Sequence, residues 1–324
     1  TLLLNEICKN GTISRLQLHQ ATGMALPSIT RFIQDLLQAG VLIEAEKGQS
    51  SGGRQPVLLR LNPHAGVVIA LDFSGVEMRA GIFDSSNACL LLLREPFLGM
   101  RQEVIEAQVI AICHKLISAE VIQSRAVLGI GISVPGTVDV ENGVILNSSN
   151  MHLRDYPIRA VLEKIFSVPV YVEHDTAVAS QAEMFYGAGR GHADLIYIMI
   201  SNGIGAGIII NQEVYRGESG QAGEFGHITI ERNGQICACG KRGCLEAEAS
   251  IPAMLASARN VYQRQQRMAY APSPETAQAP YSLESLRQAF LQGDPLAQAI
   301  IEHSTDNLAL AISIVLGLAI GLLG

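Results

Sequence analysis

The sequence concentrates its potential chemistry in residues 217–250, which carry three cysteines, one histidine and several glutamates. The possible metal ligands follow the spacing H-x9-C-x-C-x4-C and are His227, Cys237, Cys239 and Cys244. One imidazole and three thiolates complete the tetrahedral set that proteins use for structural zinc, and no position is left for a reactive water. The spacing therefore predicts a structural Zn²⁺ site.

Two plainer interpretations of this cluster stay open. The cysteines could be buried core thiols beside an unrelated histidine, or one disulfide with a third thiol left free. Gly240 and Gly243 lie inside the cysteine loop, where a tight chelate needs backbone angles that other residues resist, and this favours the metal. The other three cysteines stand alone in apolar segments. Because a secreted disulfide framework is evenly spaced, we expect a cytoplasmic protein.

Residues 1–62 have the pattern of short helices followed by a hairpin. Ser14 is placed to cap a second helix, and Gly40 to end a third helix that starts at a proline. Two β-prone segments follow, at 41–46 and 57–61, and they enclose a glycine-rich loop. Two helices joined by a glycine-containing turn, with a hairpin behind them, predict a winged helix-turn-helix.

The third helix of this module is expected to enter the major groove of a double-stranded DNA operator. Its polar side presents Ser28, Thr30, Arg31 and Gln34. Arg54, in the hairpin loop, is placed to reach a phosphate or the minor groove. Residues 1–62 carry a net charge of +2, whereas the whole chain carries −7, which favours a nucleic-acid module at the N-terminal end. The alternative is a small helical dimerisation module with a solvated polar face.

Beyond residue 63, strand and helix patterns alternate, which predicts an α/β domain with a mainly parallel or mixed sheet. Asp175 follows a predicted strand directly, where α/β sheets place ligand groups. A carboxylate there accepts a hydrogen bond from a ligand hydroxyl or acts as a general base. A helix N-cap is the equally weighted alternative, since Asp is a favoured capping residue.

The apolar run at residues 308–324 raises the question of a membrane span. It is shorter than the roughly 20 residues that a span requires, and it lacks charged or aromatic flanks. We therefore expect a core helix or a strand, and no membrane insertion.

Three segments carry a resemblance to a known family. The run GEFGHITIERNGQICACGKRGCLEAEAS closely resembles the signature of the ROK family, named for repressors, open reading frames and kinases. VEHDTAVASQAE resembles the catalytic-aspartate segment of that family, and SNGIGAG its second phosphate-facing glycine turn. With a helix-turn-helix in front, the architecture is similar to that of the sugar-responsive repressors in this family.

The resemblance implies an α/β fold with an N-terminal winged helix-turn-helix followed by a two-lobed, actin-like (ribonuclease H-like) ROK sugar-kinase fold. The expected domains are residues 1–63 for DNA binding, 64–176 for the first lobe and 177–324 for the second lobe with its zinc site. A C-terminal segment able to return to the first lobe is part of this expectation.

The resemblance also implies which residues bind a sugar or sugar-phosphate effector. Position by position, these are Asn150, Asp175, Glu224, His227 and Glu246. His227 would have two roles, with one ring nitrogen on zinc and the other toward the ligand. The implied partners are operator DNA, further copies of the chain in a homodimer or homotetramer, and a transport-system protein of the kind that sequesters some family members.

Phosphoryl transfer is the alternative activity. Kinases of the family carry an Asp-x-Gly-Gly-Thr-Lys-like turn, whereas residues 72–78 hold one glycine, no Thr-Lys pair and an added carboxylate, Glu77. A negative side chain near a triphosphate is unfavourable, and a lost glycine hinders close backbone approach. Asp175 is therefore expected to be a vestigial base that still binds sugar. We predict a transcriptional regulator rather than an enzyme; the alternative is an ATP-dependent sugar kinase with an accessory DNA-binding domain.

Overall fold

The computed structural model describes residues 2–47, 55–73, 77–122, 125–218, 220–268 and 282–323. The chain divides into two compact units, Thr1–His192 and Ala193–Gly324. The division between the units falls after His192, so the helix that starts at Asp175 belongs to the first unit. The finer division into residues 1–63, 64–176 and 177–324 stays a prediction.

The first unit begins with three helices and a three-stranded antiparallel sheet, in the sheet order β1-β3-β2. We call residues 2–61 the N-terminal head. Its elements are α1 (Leu2–Asn10), β1 (Ile13–Ser14), α2 (Arg15–Thr22), α3 (Leu26–Gln38), β2 (Leu42–Lys47) and β3 (Val57–Leu61). Apart from the short strand β1, which was not predicted, these are the elements that the helix–turn–helix–hairpin pattern predicts.

Local sequence signals explain where the helices of the head begin and end. The Ser14 hydroxyl accepts the Gln17 N–H at 3.2 Å, and the Gln17 side chain accepts the Ser14 N–H at 2.9 Å, which confirms the predicted cap of α2. Gly40 has a φ of 69°, a left-handed angle that suits glycine and ends α3. Ile29 and Ile33 of α3 are fully buried, as the apolar spacing predicts.

The rest of the first unit is built on a five-stranded mixed sheet in the order β11-β7-β4-β5-β6. Strands β11, β7 and β4 run parallel, whereas β5 and β6 add antiparallel to one edge. A second sheet has the order β10-β9-β8. The elements are β4 (Val67–Phe73), β5 (Glu77–Asp84), β6 (Cys89–Pro96), α4 (Gln102–Ile117), β7 (Val127–Val134), β8 (Thr137–Asp139), β9 (Val144–Ser148), β10 (Leu153–Tyr156), α5 (Ile158–Phe166), β11 (Val170–His174) and α6 (Asp175–Tyr186).

Apolar alternation along these strands forms the core of the first unit. In β4, the side chains of Val67, Ile69, Leu71 and Phe73 are buried on alternate positions, as a sheet with a period of two requires. They share one cluster with buried side chains of α4. Because β11 is a parallel strand of this sheet, its last residue delivers Asp175 to the carboxyl edge, where α/β proteins bind ligands.

In its described residues, the second unit joins a three-stranded antiparallel sheet, in the order β12-β13-β14, to four helices. Two small cores hold it together, one under the sheet with Phe225 and Leu245, and one between helices with Ala258 and Leu286. The elements are β12 (Leu195–Ile200), β13 (Ile204–Ile210), β14 (Glu213–Val214), α7 (Leu245–Ala249), α8 (Ile251–Met268), α9 (Leu283–Leu291) and α10 (Pro295–Leu323).

Helix α10 includes residues 308–323 of the apolar run and begins before it, at Pro295. Among the described residues, the segment Pro295–Gly317 is long and apolar enough to cross a membrane by length and composition, and 17% of its apolar window is buried. Ala311 is fully buried, whereas Leu310 and Leu316 are half-exposed. The prediction of a core helix is therefore correct for one face only. A single such helix is weak evidence for a span, because packed helices of soluble proteins share these properties.

Candidate metal centre and effector site

The predicted metal ligands converge at one point of the second unit. One ligand atom from each of His227, Cys237, Cys239 and Cys244 lies within 4.8 Å of all the others. The His227 Nδ1–Cys237 Sγ distance is 3.6 Å and the Cys239 Sγ–Cys244 Sγ distance is 3.7 Å. With Zn–S near 2.3 Å and Zn–N near 2.0–2.1 Å, a tetrahedral site separates N from S by about 3.6 Å and S from S by about 3.8 Å. The donor set fits zinc.

The geometry excludes the disulfide interpretation among these residues. All three cysteines are free, and a sulfur–sulfur distance of 3.7 Å is far longer than the bond length of about 2.05 Å. Burial, together with the neighbouring thiols Cys239 and Cys237, raises the pKa of Cys244 to about 12. The Cys244 thiol therefore stays protonated at neutral pH unless a bound cation compensates the charge of its thiolate.

The backbone of the cysteine loop is folded tightly enough to present its sulfurs inward. The Cys237 N–H donates to the Lys241 carbonyl at 2.8 Å, and the Gly243 N–H donates to the Gln235 carbonyl at 2.8 Å. Gly243 has a φ of 69°, and a Cβ at this position would overlap the Glu231 carbonyl oxygen. This is the one loop position where both the angle and the space require glycine.

His227 is oriented by two different neighbours. Its Nδ1 faces the Cys237 thiol at 3.6 Å, while its Nε2 lies 3.4 Å from Glu224 Oε2. The two side chains are 29% and 34% exposed, so both remain accessible from solvent. Phe225, between them, is buried and anchors the short 3₁₀ turn Phe225–His227. One ring nitrogen is thus at the metal cluster and the other faces outward beside a carboxylate.

The short helix α7, directly after Cys244, ties the surrounding loops together with two carboxylates. Glu246 Oε2 accepts the Ile204 N–H at 3.0 Å, which fixes the glycine turn that precedes β13. Glu248 Oε1 accepts the Gln235 N–H at 2.6 Å and so holds the start of the cysteine loop. Sequence reasoning missed Glu248. The available signal was a second acidic residue two positions after Glu246, which turns it to the other side of the helix.

Asp175 is the first residue of α6 in the first unit. Its Oδ1 accepts the Thr176 N–H at 2.7 Å and lies 3.4 Å from His174 Nε2, and its side chain is 18% exposed. The N-cap of α6 is His174, so the alternative that Asp175 is itself the N-cap is wrong. The carboxylate instead lies in the first turn, where the helix dipole stabilises negative charge.

The remaining predicted effector residue, Asn150, is exposed in the 3₁₀ turn Ser149–Met151 of the first unit. Asn150 and Asp175 thus belong to the first unit, whereas Glu224, His227 and Glu246 belong to the second. Within the second unit, the structure places His227 beside Glu224 and in the metal cluster.

The predicted DNA-reading side of α3 is largely open to solvent. Ser28, Arg31 and Gln34 are exposed. Thr30 is half-buried, and its hydroxyl donates to the Leu26 carbonyl at 2.8 Å, which leaves it as an acceptor only. Arg54 lies outside the described residues.

Ion pairs of Glu77 weaken the predicted electrostatic objection to a bound triphosphate. Glu77 Oε1 lies 2.9 Å from Arg79 Nε and 3.8 Å from Arg94, so its negative charge is compensated within the sheet. Burial raises the pKa of Asp72, although a hydrogen bond with Ser133 opposes the shift. The glycine of this turn lies in residues 74–76, outside the described part of the chain.

The comparisons with known proteins match this architecture. The family model for the ROK family covers residues 68–319. The xylose repressor of Bacillus spizizenii is 38% identical over 257 residues, which are 79% of this chain and 66% of the repressor. The chain thus spans slightly less than two thirds of that relative's length. The Escherichia coli K12 dual regulator NagC is 28% identical over 315 residues, with 95% and 74% covered.

Solved structures of regulators and kinases share the fold. A ROK family transcriptional regulator, a homologue of the Escherichia coli MLC protein, superposes with a TM-score of 0.78 at 27% identity, with 94% of this chain and 76% of that chain covered. A ROK family glucokinase from Streptomyces griseus, in complex with glucose and AMPPNP, gives 0.65 at 28% identity, with 78% and 80% covered. Since the family model covers well over half of the sequence, this protein belongs to the ROK family.

Proposed function

We propose that the protein is a sugar-responsive transcriptional repressor of carbohydrate uptake or metabolism genes. The observation that carries the proposal is the orientation of His227, with one nitrogen 3.6 Å from a thiol of the metal cluster and the other 3.4 Å from Glu224. This pairs a fixed imidazole with an accessible carboxylate, a combination that suits the hydroxyl groups of a sugar. Similar proteins, which include xylose and N-acetylglucosamine repressors, support the same class of function.

In this proposal the N-terminal head is a winged helix-turn-helix that binds a double-stranded DNA operator. Helix α3 would enter the major groove and read bases with Ser28, Arg31 and Gln34, which are exposed. Thr30 would contribute as an acceptor, and Arg54 would contact a phosphate from the hairpin loop. The net charge of +2 in residues 1–62 supports attraction to DNA.

The effector is proposed to be a sugar or sugar phosphate held by Asn150, Asp175, Glu224, His227 and Glu246. Carboxylates accept hydrogen bonds from sugar hydroxyls, and the Asn150 amide can both donate and accept. Glu246 has one oxygen on the Ile204 N–H, which leaves its other oxygen for the effector. D-xylose is the first sugar to test, because the relative at 38% identity is a xylose repressor.

Zinc has a structural role in this proposal. When bound to His227, Cys237, Cys239 and Cys244, it would cross-link the turn at Glu224 to the start of α7 and supply no reactive water. A cytoplasmic homodimer or homotetramer without membrane insertion completes the proposal, since two-fold oligomers match palindromic operators. A transport-system protein is a further proposed partner, as the family resemblance implies.

The proposal is tested with calorimetric titrations of D-xylose, N-acetylglucosamine, glucose and their phosphates into the purified protein. We expect saturable binding of at least one of these compounds. Asp175→Asn and Glu224→Gln should each weaken that binding, because an amide replaces one acceptor by a donor. Glu95→Gln, at an exposed ion pair with Lys115, is the matched control. If no sugar binds, or if all three variants weaken binding equally, the assigned site is wrong.

A sugar kinase is the second candidate, because the glucokinase structure shares the fold and Glu77 is charge-compensated by Arg79. Asp175, at the carboxyl end of β11, is the only base that this alternative uses. It predicts ATP consumption that depends on sugar and disappears in Asp175→Asn. The repressor proposal predicts no sugar-dependent ATP consumption above that of the variant.

A further inference from the structure

A specific contact in the first unit joins the N-terminal head to helix α6. Arg190 Nη2 donates to the Lys9 carbonyl at 3.2 Å, and Lys9 Nζ lies 5.5 Å from the centre of the Phe185 ring. Burial raises the pKa of Tyr186, with a further contribution from Cys8 of α1. The last two residues of α6 and the turn behind it thus meet the end of α1.

The contact places positively charged groups at the C-terminal end of α1, where the helix dipole is negative. Lys9 lies in the last turn of α1, where carbonyl groups have no partner within the helix and the dipole is negative. A guanidinium donating to that carbonyl satisfies one of these groups and compensates the dipole. The Lys9 ammonium over the Phe185 ring adds a cation–π interaction. The head is therefore held at this point by two interactions that depend strongly on distance.

Arg190 is rigidly connected to α6 although it follows the helix. The carboxylate of Glu183, inside α6, accepts the Ala188 N–H at 2.9 Å, and the Glu183 carbonyl accepts the Gly187 and Gly189 N–H groups at 3.0 Å each. The turn that carries Arg190 is thus pinned to the last turn of the helix. When α6 moves, Arg190 moves with it.

The opposite end of α6 is Asp175, the proposed effector residue. With a rise of about 1.5 Å per residue, the 12-residue helix is about 17 Å long from its first to its last Cα. A tilt of about 3–4° around Asp175 therefore displaces the far end by about 1 Å. That displacement is enough to break a hydrogen bond of 3.2 Å, because contacts beyond about 3.6 Å no longer count as one.

We propose that Arg190 and Phe185 are positioning residues for the DNA-binding head, and that α6 transmits movement of Asp175 on effector binding to Lys9 of α1. This inference rests on the proposed function and specifies how its two sites are coupled. Neither residue touches DNA or sugar in this scheme. Their effect is confined to the coupling free energy between the two ligands.

The test measures the ratio of DNA dissociation constants with and without saturating D-xylose, or the first sugar that binds. The duplex is selected by the wild-type protein from a random pool, and full-length variants are used. Coupling of ordinary strength gives a wild-type ratio of about 5–150. We expect Arg190→Ala and Phe185→Leu to bring the ratio to within about twofold of unity, while sugar affinity stays unchanged. Arg190→Lys, which keeps one donor, should retain an intermediate ratio.

Lys115→Ala is the matched control, because Lys115 forms an ion pair with Glu95 in the same unit and should leave the ratio unchanged. The inference is overturned if Arg190→Ala and Phe185→Leu both keep the wild-type ratio. If Arg190→Ala loses DNA binding altogether, its ratio of dissociation constants cannot be measured, and the ratio of Phe185→Leu alone decides whether the inference stands. Hydrogen exchange of residues 2–10 provides a direct check, since sugar should change it in the wild type and not in Arg190→Ala. A wild-type protein that binds no sugar or no DNA contradicts the proposed function instead.

Discussion

Replacing Cys244 by serine removes one proposed zinc ligand at almost constant volume. Cys244 is fully buried, and its sulfur lies 3.7 Å from Cys239 Sγ and 3.7 Å from the His227 carbonyl. Structural zinc sites in peptides bind with about 10–16 kcal/mol. One ligand in four therefore accounts for about 2.5–4 kcal/mol, which is about 10²–10³-fold in zinc affinity.

The same substitution lowers the stability of the second unit. A protein of this kind is stable by about 5–15 kcal/mol, so losing about 2.5–4 kcal/mol of metal binding is a large share of the total. Serine also leaves a buried hydroxyl, which costs about 1–3 kcal/mol more when it is unpaired. We expect a lower thermal midpoint, and a chelator, which removes the whole contribution of the metal, should lower the wild-type midpoint at least as far.

The assay is competition for zinc with a chromophoric chelator, together with thermal unfolding at fixed zinc. Cys89→Ser is the matched control, because Cys89 is exposed, free and outside the cluster. The control should keep the zinc affinity and the midpoint of the wild type. The reasoning is refuted if Cys244→Ser binds zinc as tightly as the wild type, or if chelator leaves the wild-type midpoint unchanged.

Three further substitutions probe the head, the cysteine loop and the acid response. Ser14→Ala should destabilise the protein by about 1 kcal/mol through loss of the capping box, measured by urea unfolding, and an unchanged midpoint would contradict this. Glu248→Ala frees the Gln235 N–H and should weaken zinc binding about 10–100-fold in the chelator assay, whereas Glu248→Gln should restore part of it. Burial raises the pKa of Asp84, but hydrogen bonds outweigh this effect and lower the pKa in the folded protein. The Asp84 carboxylate therefore stabilises the folded state fully above its unfolded-state pKa, and this stabilisation is lost as pH falls through the folded-state pKa. Between about pH 5 and pH 2, Asp84→Asn should therefore lose less stability than the wild type in urea titrations, and equal losses would rule out this role.

Much of the candidate site could be predicted because its signals are local. The metal ligands lie within 18 consecutive residues, from His227 to Cys244, and their spacing alone predicts a chelate. Ser14 and Gly40 mark helix ends through bonds and angles within a few positions. In each case the local structure depends on residues that are close in sequence, so the residue types are sufficient to predict it.

The missed features depend on pairing between distant segments. Glu77 was predicted to disfavour a triphosphate through its negative charge, and no spacing in the sequence showed that the register of β5 with β6 brings Arg94 to within 3.8 Å of it. The bond between Arg190 and Lys9 joins residues 181 positions apart. No periodicity or spacing reports such contacts, because they arise only when sheets and helices pack.

The extent of α10 shows a related limit. The hydrophobic run suggested a short element from residue 308, but the helix begins at Pro295. The hydrophobic pattern does not extend back to this start, because polar residues such as His303 and Asp306 are on an exposed part of the same helix. A proline in the first turn, preceded by Asp294 as an acceptor for the Leu296 N–H, was the available start signal. Hydrophobicity alone therefore located the apolar part of the helix and missed its beginning, where Ala297 and Ile300 are buried.

The central claim is that one sugar controls the DNA affinity of this protein. It is tested most directly by fluorescence anisotropy of a duplex selected by the protein, titrated at zero and at saturating sugar. We expect the DNA dissociation constant to rise about 5–150-fold at saturating sugar, and the sugar dissociation constant to rise by the same factor when DNA is saturating. Equal DNA affinity with and without a sugar that demonstrably binds would contradict it.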